Sequence, residues 1–275
     1  MNLLQKLFQA GYPIIGALHF MPLLGTKNFS SLDTVLKNAI QDANALERGG
    51  VNGIIVENNY DIPHKILVDS ETIAAMTYLT TKVAETTKLN LGVSVLWNDY
   101  KAAFSIAKVI GGSFIRIPAF VDDVLTSYGK VNQVAKEALI YKKQIHAENI
   151  LIFADVHVKH SQMIDQNKSL EKSIKEAVAN HADAIIITGN WTGDSPKVDE
   201  LMKSKQIAKT VPIILGSGVN KDNIHLLKKY SDAAIVGTSL KAGHNKKKGQ
   251  EVNIKNYNQR IEIKKVKNFV KSSLS

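Results

Sequence analysis

VPIILGSGV (residues 211–219) and AAIVGTSL (233–240) are the two stretches whose reading decides the fold. Each is an apolar run of strand length that stops at glycine and a hydroxyl residue, an ending that leaves backbone N–H groups able to face an anion. In a barrel of alternating strands and helices, the last two strands are where a phosphate group is commonly held. A phosphorylated small molecule is therefore the first ligand class to expect.

Upstream, the same apolar runs recur. Strands are predicted at 14–20, 52–57, 90–96, 113–117, 150–157, 183–188, 211–216 and 233–237, with helix-length segments between them at 31–48, 70–88, 99–110, 130–147, 168–180, 195–209 and 220–229. The 31–48 segment is opened by Ser30, Ser31 or Asp33 and closed by Gly49-Gly50. Strands apolar throughout fit parallel pairing with both faces covered. The count predicts a (β/α)8 TIM barrel in one domain over 1–275, with residues 1–11 as a helix plugging its floor. A doubly wound sheet is disfavoured, because HFMPLLGT follows the first strand where a dinucleotide-binding unit needs G-x-G-x-x-G.

Composition narrows the class further. The 275 residues include no cysteine, which excludes disulfides, thiolate metal sites and a cysteine nucleophile. The opening MNLLQKLFQAGYP has too short an apolar run for a secretory signal, and no window approaches a membrane span, so a cytoplasmic protein is expected. Net charge is +10, but residues 241–275 contribute +8 of it and leave +2 for the first 240. That tail, with Lys246-Lys247-Lys248 in a basic loop (246–275 including the final helix), is expected to put Ile254, Tyr257, Ile261 and Phe269 on one helical face. It lacks the basic and aromatic interleaving that stacks bases, so nucleic acid is not the expected partner. Barrels of this size often self-associate, and a homo-oligomer is kept open.

Chemistry in such a barrel belongs to the strand C-termini. In ADVHVKH (154–160), strand alternation puts Asp155, His157 and Lys159 on one side, bringing acid, base and ammonium together. Lys159 is a Schiff-base candidate if its amine is depressed by burial. Glu57 ends a fully apolar strand, where desolvation would raise a carboxyl toward general-base range. Glu57, Asp155, Lys159 and His157 are thus the expected catalytic residues. His19, Asn58, Asn98, Arg116, His160 and Thr188 are expected to bind substrate. Phosphate binding falls to Gly189, to Gly216, Ser217 and Gly218, and to Gly237 and Thr238. The loops 58–69 and 118–130 are long enough to act as lids. No compact metal-ligand spacing occurs, and no cofactor is expected; magnesium beside a phosphate is the ion to consider first if one is needed.

Several blocks together carry a resemblance: GALHFMPLLGT (16–26), GGVNGIIVENNYDIP (49–63), GVSVLWNDYKAAFSIAKVIGGSFIRI (92–117), ADVHVKH (154–160), DAIIITGNWTG (183–193), LGSGV (215–219) and AIVGTSLK (234–241). Across roughly residues 10–245 the chain resembles the BtpA/SgcQ family. The resemblance implies a barrel of the ribulose-phosphate-binding type. It also implies two functional branches, one linked to photosystem I biogenesis and one associated with carbohydrate gene clusters. Trp97 stands where the family pattern suggests a basic residue, and Ile117-Pro118-Ala119 replaces a more polar stretch. The expectation is an enzyme acting on a sugar phosphate or nucleotide-like phosphate by isomerisation, epimerisation, aldol cleavage or glycosyl transfer. A non-catalytic assembly or stability factor is the alternative.

Overall fold

A computed structural model describes residues 1–243 and 257–274 of the chain. In chain order the elements are α1 (Leu3–Phe8), β1 (Ile14–His19), α2 (Leu32–Gly49), β2 (Gly53–Glu57), α3 (Ser70–Ala84), β3 (Asn90–Ser94), α4 (Tyr100–Val109) and β4 (Phe114–Ile117). A hairpin follows, β5 (Val124–Thr126) and β6 (Gly129–Val131), then α5 (Ala135–Gln144), β7 (Leu151–Val156), β8 (Ser161–Met163) and α6 (Leu170–Ala179). The chain continues through β9 (Ala184–Ile187), α7 (Val198–Ala208), β10 (Ile213–Leu215), α8 (Ile224–Leu227), β11 (Ala233–Val236) and α9 (Ile263–Leu274).

Eight parallel strands close a barrel in the order β1-β11-β10-β9-β7-β4-β3-β2. All eight predicted strands are present, and helices alternate with them as the pattern requires. The predicted cap and stop of α2 are realised by the Ser31 hydroxyl, which accepts from the Thr34 amide, and by Gly50 at φ 93°, where only glycine turns without strain. Inside the barrel, Ile15, Ala17, Ile55, Phe114, Phe153, Ile186, Ile214 and Ile235 form one cluster with Leu4 and Phe8 of α1. The floor helix therefore plugs the barrel by inserting two large apolar side chains. Phe8 meets Phe114 edge-on at 5.7 Å, and Phe114 stacks on Phe153 at 4.4 Å.

Two regions differ from the sequence expectation. The loop expected over 118–130 instead forms the β5–β6 hairpin, and β8 joins β5 antiparallel to complete a three-stranded sheet outside the barrel. Its anchor is a separate apolar cluster of Trp97, Ala119, Val124, Val131 and Val158. The final helix begins at Ile263 and buries Val266, Phe269 and Ser273. Ile261 lies in an isolated bridge with Lys241, and Tyr257 lies in a turn, so neither belongs to its face. The Lys246–Lys248 run and Ile254 lie outside the described residues. No helix among the described residues is long and apolar enough to cross a membrane.

Candidate active site

Alternation along each strand identifies which residues look into the barrel mouth. The interior cluster fixes the inward positions, and two residues further on in each strand stand His19, Glu57, Arg116, Asp155, Thr188, Gly216 and Gly237. Ser94 occupies the same level of β3, paired in register with Glu57, which in turn pairs with His19. The ring is divided. Strands β1, β2, β4 and β7 contribute titratable side chains; β10 and β11 contribute glycines.

Hydrogen bonds link the titratable half. Arg116 donates from Nε to Asp155 Oδ2 at 2.7 Å and from Nη2 to Asp155 Oδ1 at 2.8 Å, a two-pronged pair, and from Nη1 to Glu57 Oε1 at 3.3 Å. His19 Nε2 lies 3.2 Å from Glu57 Oε2. On its other side, Lys241 Nζ lies 3.2 Å from His19 Nδ1 and donates to the Tyr60 hydroxyl at 2.7 Å. Lys241 is 3% exposed, and its ammonium also lies 4.9 Å from the centre of the Tyr60 ring.

These neighbours set the protonation states. Burial, reinforced by the Lys241 charge, lowers His19 to about 4 against the opposing pull of Glu57. A neutral imidazole donating at Nε2 to Glu57 and accepting at Nδ1 from Lys241 satisfies both contacts. For Glu57, burial pushes upward, but the His19 hydrogen bond and the Arg116 and Lys159 charges outweigh it and hold the carboxyl at about 2. The raised pKa expected of a base at the end of an apolar strand is therefore reversed. At Asp155 burial outweighs the Arg116 charge and leaves the carboxyl raised above its ordinary value; because both of its oxygens accept from a guanidinium that stays protonated, Asp155 is nevertheless the carboxylate of a buried pair. Lys159 is lowered to about 8, by burial first and the Arg116 charge second, against Glu57 and Asp155. Burial lowers Lys241 to about 8 as well.

The ADVHVKH segment reaches this result by an unexpected path. Strand β7 ends at Val156, and His157 and His160 have φ of 46° and 61°, so alternation stops before His157. The turn returns Lys159 to the mouth, where it acts on Glu57, Asp155 and His19, and its amide donates to Thr188 Oγ1 at 3.1 Å. His157 does not join them in the described contacts. Its amide donates to Asp122 Oδ2, and its buried Nε2 has no partner. His160 Nε2 lies 2.7 Å from Thr192 Oγ1, and its ring meets Trp191 edge-on.

Asn58 and Asn98 lie in the loops after β2 and β3 and tie loops together. The Asn58 amide exchanges hydrogen bonds with both backbone groups of Leu96, and Asn98 does the same with Ala119. Asp99 caps α4 by accepting from the Ala102 amide and also accepts from the Val68 amide, which anchors the loop after β2. Among the described residues no group of three or more His, Asp or Glu side chains is arranged to hold a metal ion.

On the glycine half, the loop after β9 lies against the end of β10. A Cβ at Gly218, whose φ is +67°, would stand 2.2 Å from the Asp194 carbonyl carbon, and one at Gly189 would stand 2.4 Å from the Asp194 oxygen. Ser217 stitches them, its hydroxyl accepting from the Gly189 amide at 2.9 Å and donating to the Asp194 carbonyl at 2.8 Å. Gly237 touches the titratable half directly: a Cβ there would lie 3.4 Å from His19 Cε1. The Thr238–Leu240 turn that follows leads to Lys241.

Three residues outside the predicted set belong to the same rim. Tyr60 and Lys241 were legible only as the polar ends of ENNYD and GTSLK. His64 carried no distinguishing pattern. Its ring meets Tyr128 of the hairpin turn edge-on at 5.2 Å, its Nδ1 is buried without a partner, and it feels the Glu57 carboxylate.

A closed eight-stranded parallel barrel with a titratable half and a glycine half at its strand C-termini defines a TIM-barrel protein. The chain belongs to the BtpA family, whose model matches residues 11–273. It is 35% identical over 244 residues to the photosystem I biogenesis protein BtpA of Synechocystis, covering 88% of this chain and 84% of that one. An uncharacterised protein of Pyrococcus furiosus is 38% identical over 231 residues, covering 83% and 86%. Among solved structures, (S)-3-O-geranylgeranylglyceryl phosphate synthase from Thermoplasma acidophilum, in complex with sn-glycerol-1-phosphate, superposes with a TM-score of 0.60 at 13% identity. That match covers 99% of this chain and 98% of the synthase. Phosphoribosylanthranilate isomerase from Thermotoga maritima gives 0.55 at 11%, covering 96% and 99%.

Proposed function

We propose that this protein is an enzyme performing proton-transfer chemistry on a small phosphorylated substrate. One observation carries the reading: Lys159, with an amine near 8, stands beside the Arg116-bridged carboxylates on the same rim as the glycine edges. A group whose pKa lies near neutral supplies both its protonated and its neutral form there, so Lys159 is the residue whose amine takes part in the reaction. Glu57 and Asp155, held ionised, stabilise positive charge developing over the substrate skeleton rather than acting as bases. The amides of Ser217, Gly218 and Ser239 donate to no protein acceptor among the described residues and support an anion there. Both solved neighbours named above carry a phosphate-bearing compound in their names, which agrees with this ligand class.

The test is a thermal-shift screen of sugar phosphates against their unphosphorylated counterparts. A phosphorylated ligand at 100 times its Kd adds about 2.7 kcal/mol of stability, and its parent sugar adds far less. A panel giving no shift, together with Gly218→Ala behaving like wild type toward every phosphate, overturns the reading. The name of the Synechocystis relative favours a second reading, a non-catalytic assembly factor. Under that reading Lys159→Met leaves the protein's cellular role intact.

A further inference from the structure

The lysine at the mouth differs from every other charge around it in having no one to pair with. Asp155 spends both oxygens on Arg116; Glu57 spends one on Arg116 and the other on His19. No hydrogen bond or ion pair reaches Lys159 Nζ among the described residues, although its side chain is half-buried and both carboxylates act on it. An ammonium part-shielded from water, beside the Arg116 charge and with no carboxylate at ion-pair distance among the described residues, is costly, so the arrangement raises the share of neutral amine. Arg116, whose charge is fixed, takes up those carboxylate oxygens instead.

We propose that Lys159 is a nucleophile that forms a Schiff base with the carbonyl carbon of a phosphorylated aldehyde or ketone, a deepening of the proposed function and resting on it. The Nζ lone pair forms the C–N bond as the carbonyl π pair moves to oxygen. One N–H proton passes to that oxygen, giving the carbinolamine. A second proton, from solvent, lets the oxygen leave as water while nitrogen keeps its remaining hydrogen and becomes the iminium. The cation so formed lies beside Glu57 and Asp155, which the network keeps ionised.

Lys241 provides the internal contrast. Its amine is lowered to a similar extent, but it is bonded to His19 and Tyr60 and is 3% exposed. Proton affinity alone would make both lysines reactive; geometry selects Lys159.

The experiment treats the full-length protein with glycolaldehyde phosphate or glycolaldehyde plus cyanoborohydride at pH 7.5, and maps the reduced adducts by mass spectrometry. At this pH a surface lysine at its ordinary pKa holds about two hundredfold less neutral amine than one near 8, so adduct at Lys159 should dominate among the lysines. Its yield should rise through about pH 8, under the joint influence of Arg116, Glu57, Asp155, His19 and His160, which face the amine. Labelling confined to Lys159 among the lysines and dependent on the phosphate group supports both the nucleophile and the ligand class. Labelling of Lys159 by both aldehydes equally supports the nucleophile and counts against the phosphate reading. If inorganic phosphate raises the melting temperature while Lys159 labels no better than surface lysines, or Lys241 labels as fast, the nucleophile is overturned and the phosphate reading stands. Lys159→Arg should abolish the adduct at that site, with circular dichroism verifying the fold.

Discussion

Arg116 is the residue on which the site's charge balance rests. Substituting it with methionine removes the partner of both Asp155 oxygens and one Glu57 oxygen and leaves two carboxylates buried. Arg116→Met should therefore cost about 3–5 kcal/mol of unfolding free energy in urea titration. Asp155→Asn should cost less, because Arg116 keeps Glu57 as a counter-charge and the amide oxygen of asparagine still accepts one of its hydrogen bonds. Lys241 acts on His19 rather than on bulk stability. In Lys241→Met the cation lowering the imidazole is gone, so the His19 pKa should rise above its value of about 4 in an NMR titration. At this scale the sequence displayed the residue types and their place at strand ends. It did not display the direction of the Glu57 shift, because that depends on His19 from β1 and Arg116 from β4, residues 38 and 59 positions away.

Among the elements, the barrel strands were fully legible and the outer sheet was not. A barrel strand, even β10 with three residues, lies in a largely apolar buried run between helices and leaves a pattern; β5 (VLT), β6 (GKV) and β8 (SQM) mix polar and apolar residues and do not, and they pair across a separation that only the fold closes. What holds this sheet is Trp97, 6% exposed, against Val124 and Val131. Val124→Ala should cost about 2 kcal/mol and red-shift the emission of Trp97, whereas Trp191, already 57% exposed, should be unaffected. Helix α9 carries Phe269 on its buried face as expected, whereas Tyr257 and Ile261 precede the helix, because the lysines spaced along this segment leave several apolar stripes equally compatible with the sequence. Contact with α2 decides. Gly49 admits Val266, and a Cβ at 49 would stand 2.3 Å from its Cγ1. Gly49→Ala should loosen α9 and lower stability by about 1–3 kcal/mol in the same titration.

For the molecule as a whole, pH is the informative variable. His64 is lowered from 6.5 to about 4, chiefly by burial, so between those values the unfolded chain takes up a proton that the folded chain refuses. The contribution is complete above about pH 6.5 and is lost as pH falls toward 4. Asp61, raised to about 6 by burial, works in the opposite direction over the same range, so the total curve mixes the two. The difference between wild type and His64→Gln isolates the histidine. Between pH 7 and 4.5 wild type should lose about 2 kcal/mol more than the variant. The sequence by itself determined the eight apolar strands, the helices between them and the polar residues at each strand's end, because local periodicity and turn chemistry are written in consecutive residues. Tertiary structure alone decided which alternate residues face inward, that Arg116 consumes the carboxylates, and that Lys159 is left unpaired. Those outcomes are set by closure of the barrel, which brings titratable side chains from four strands to one mouth and removes much of the water that would otherwise screen them.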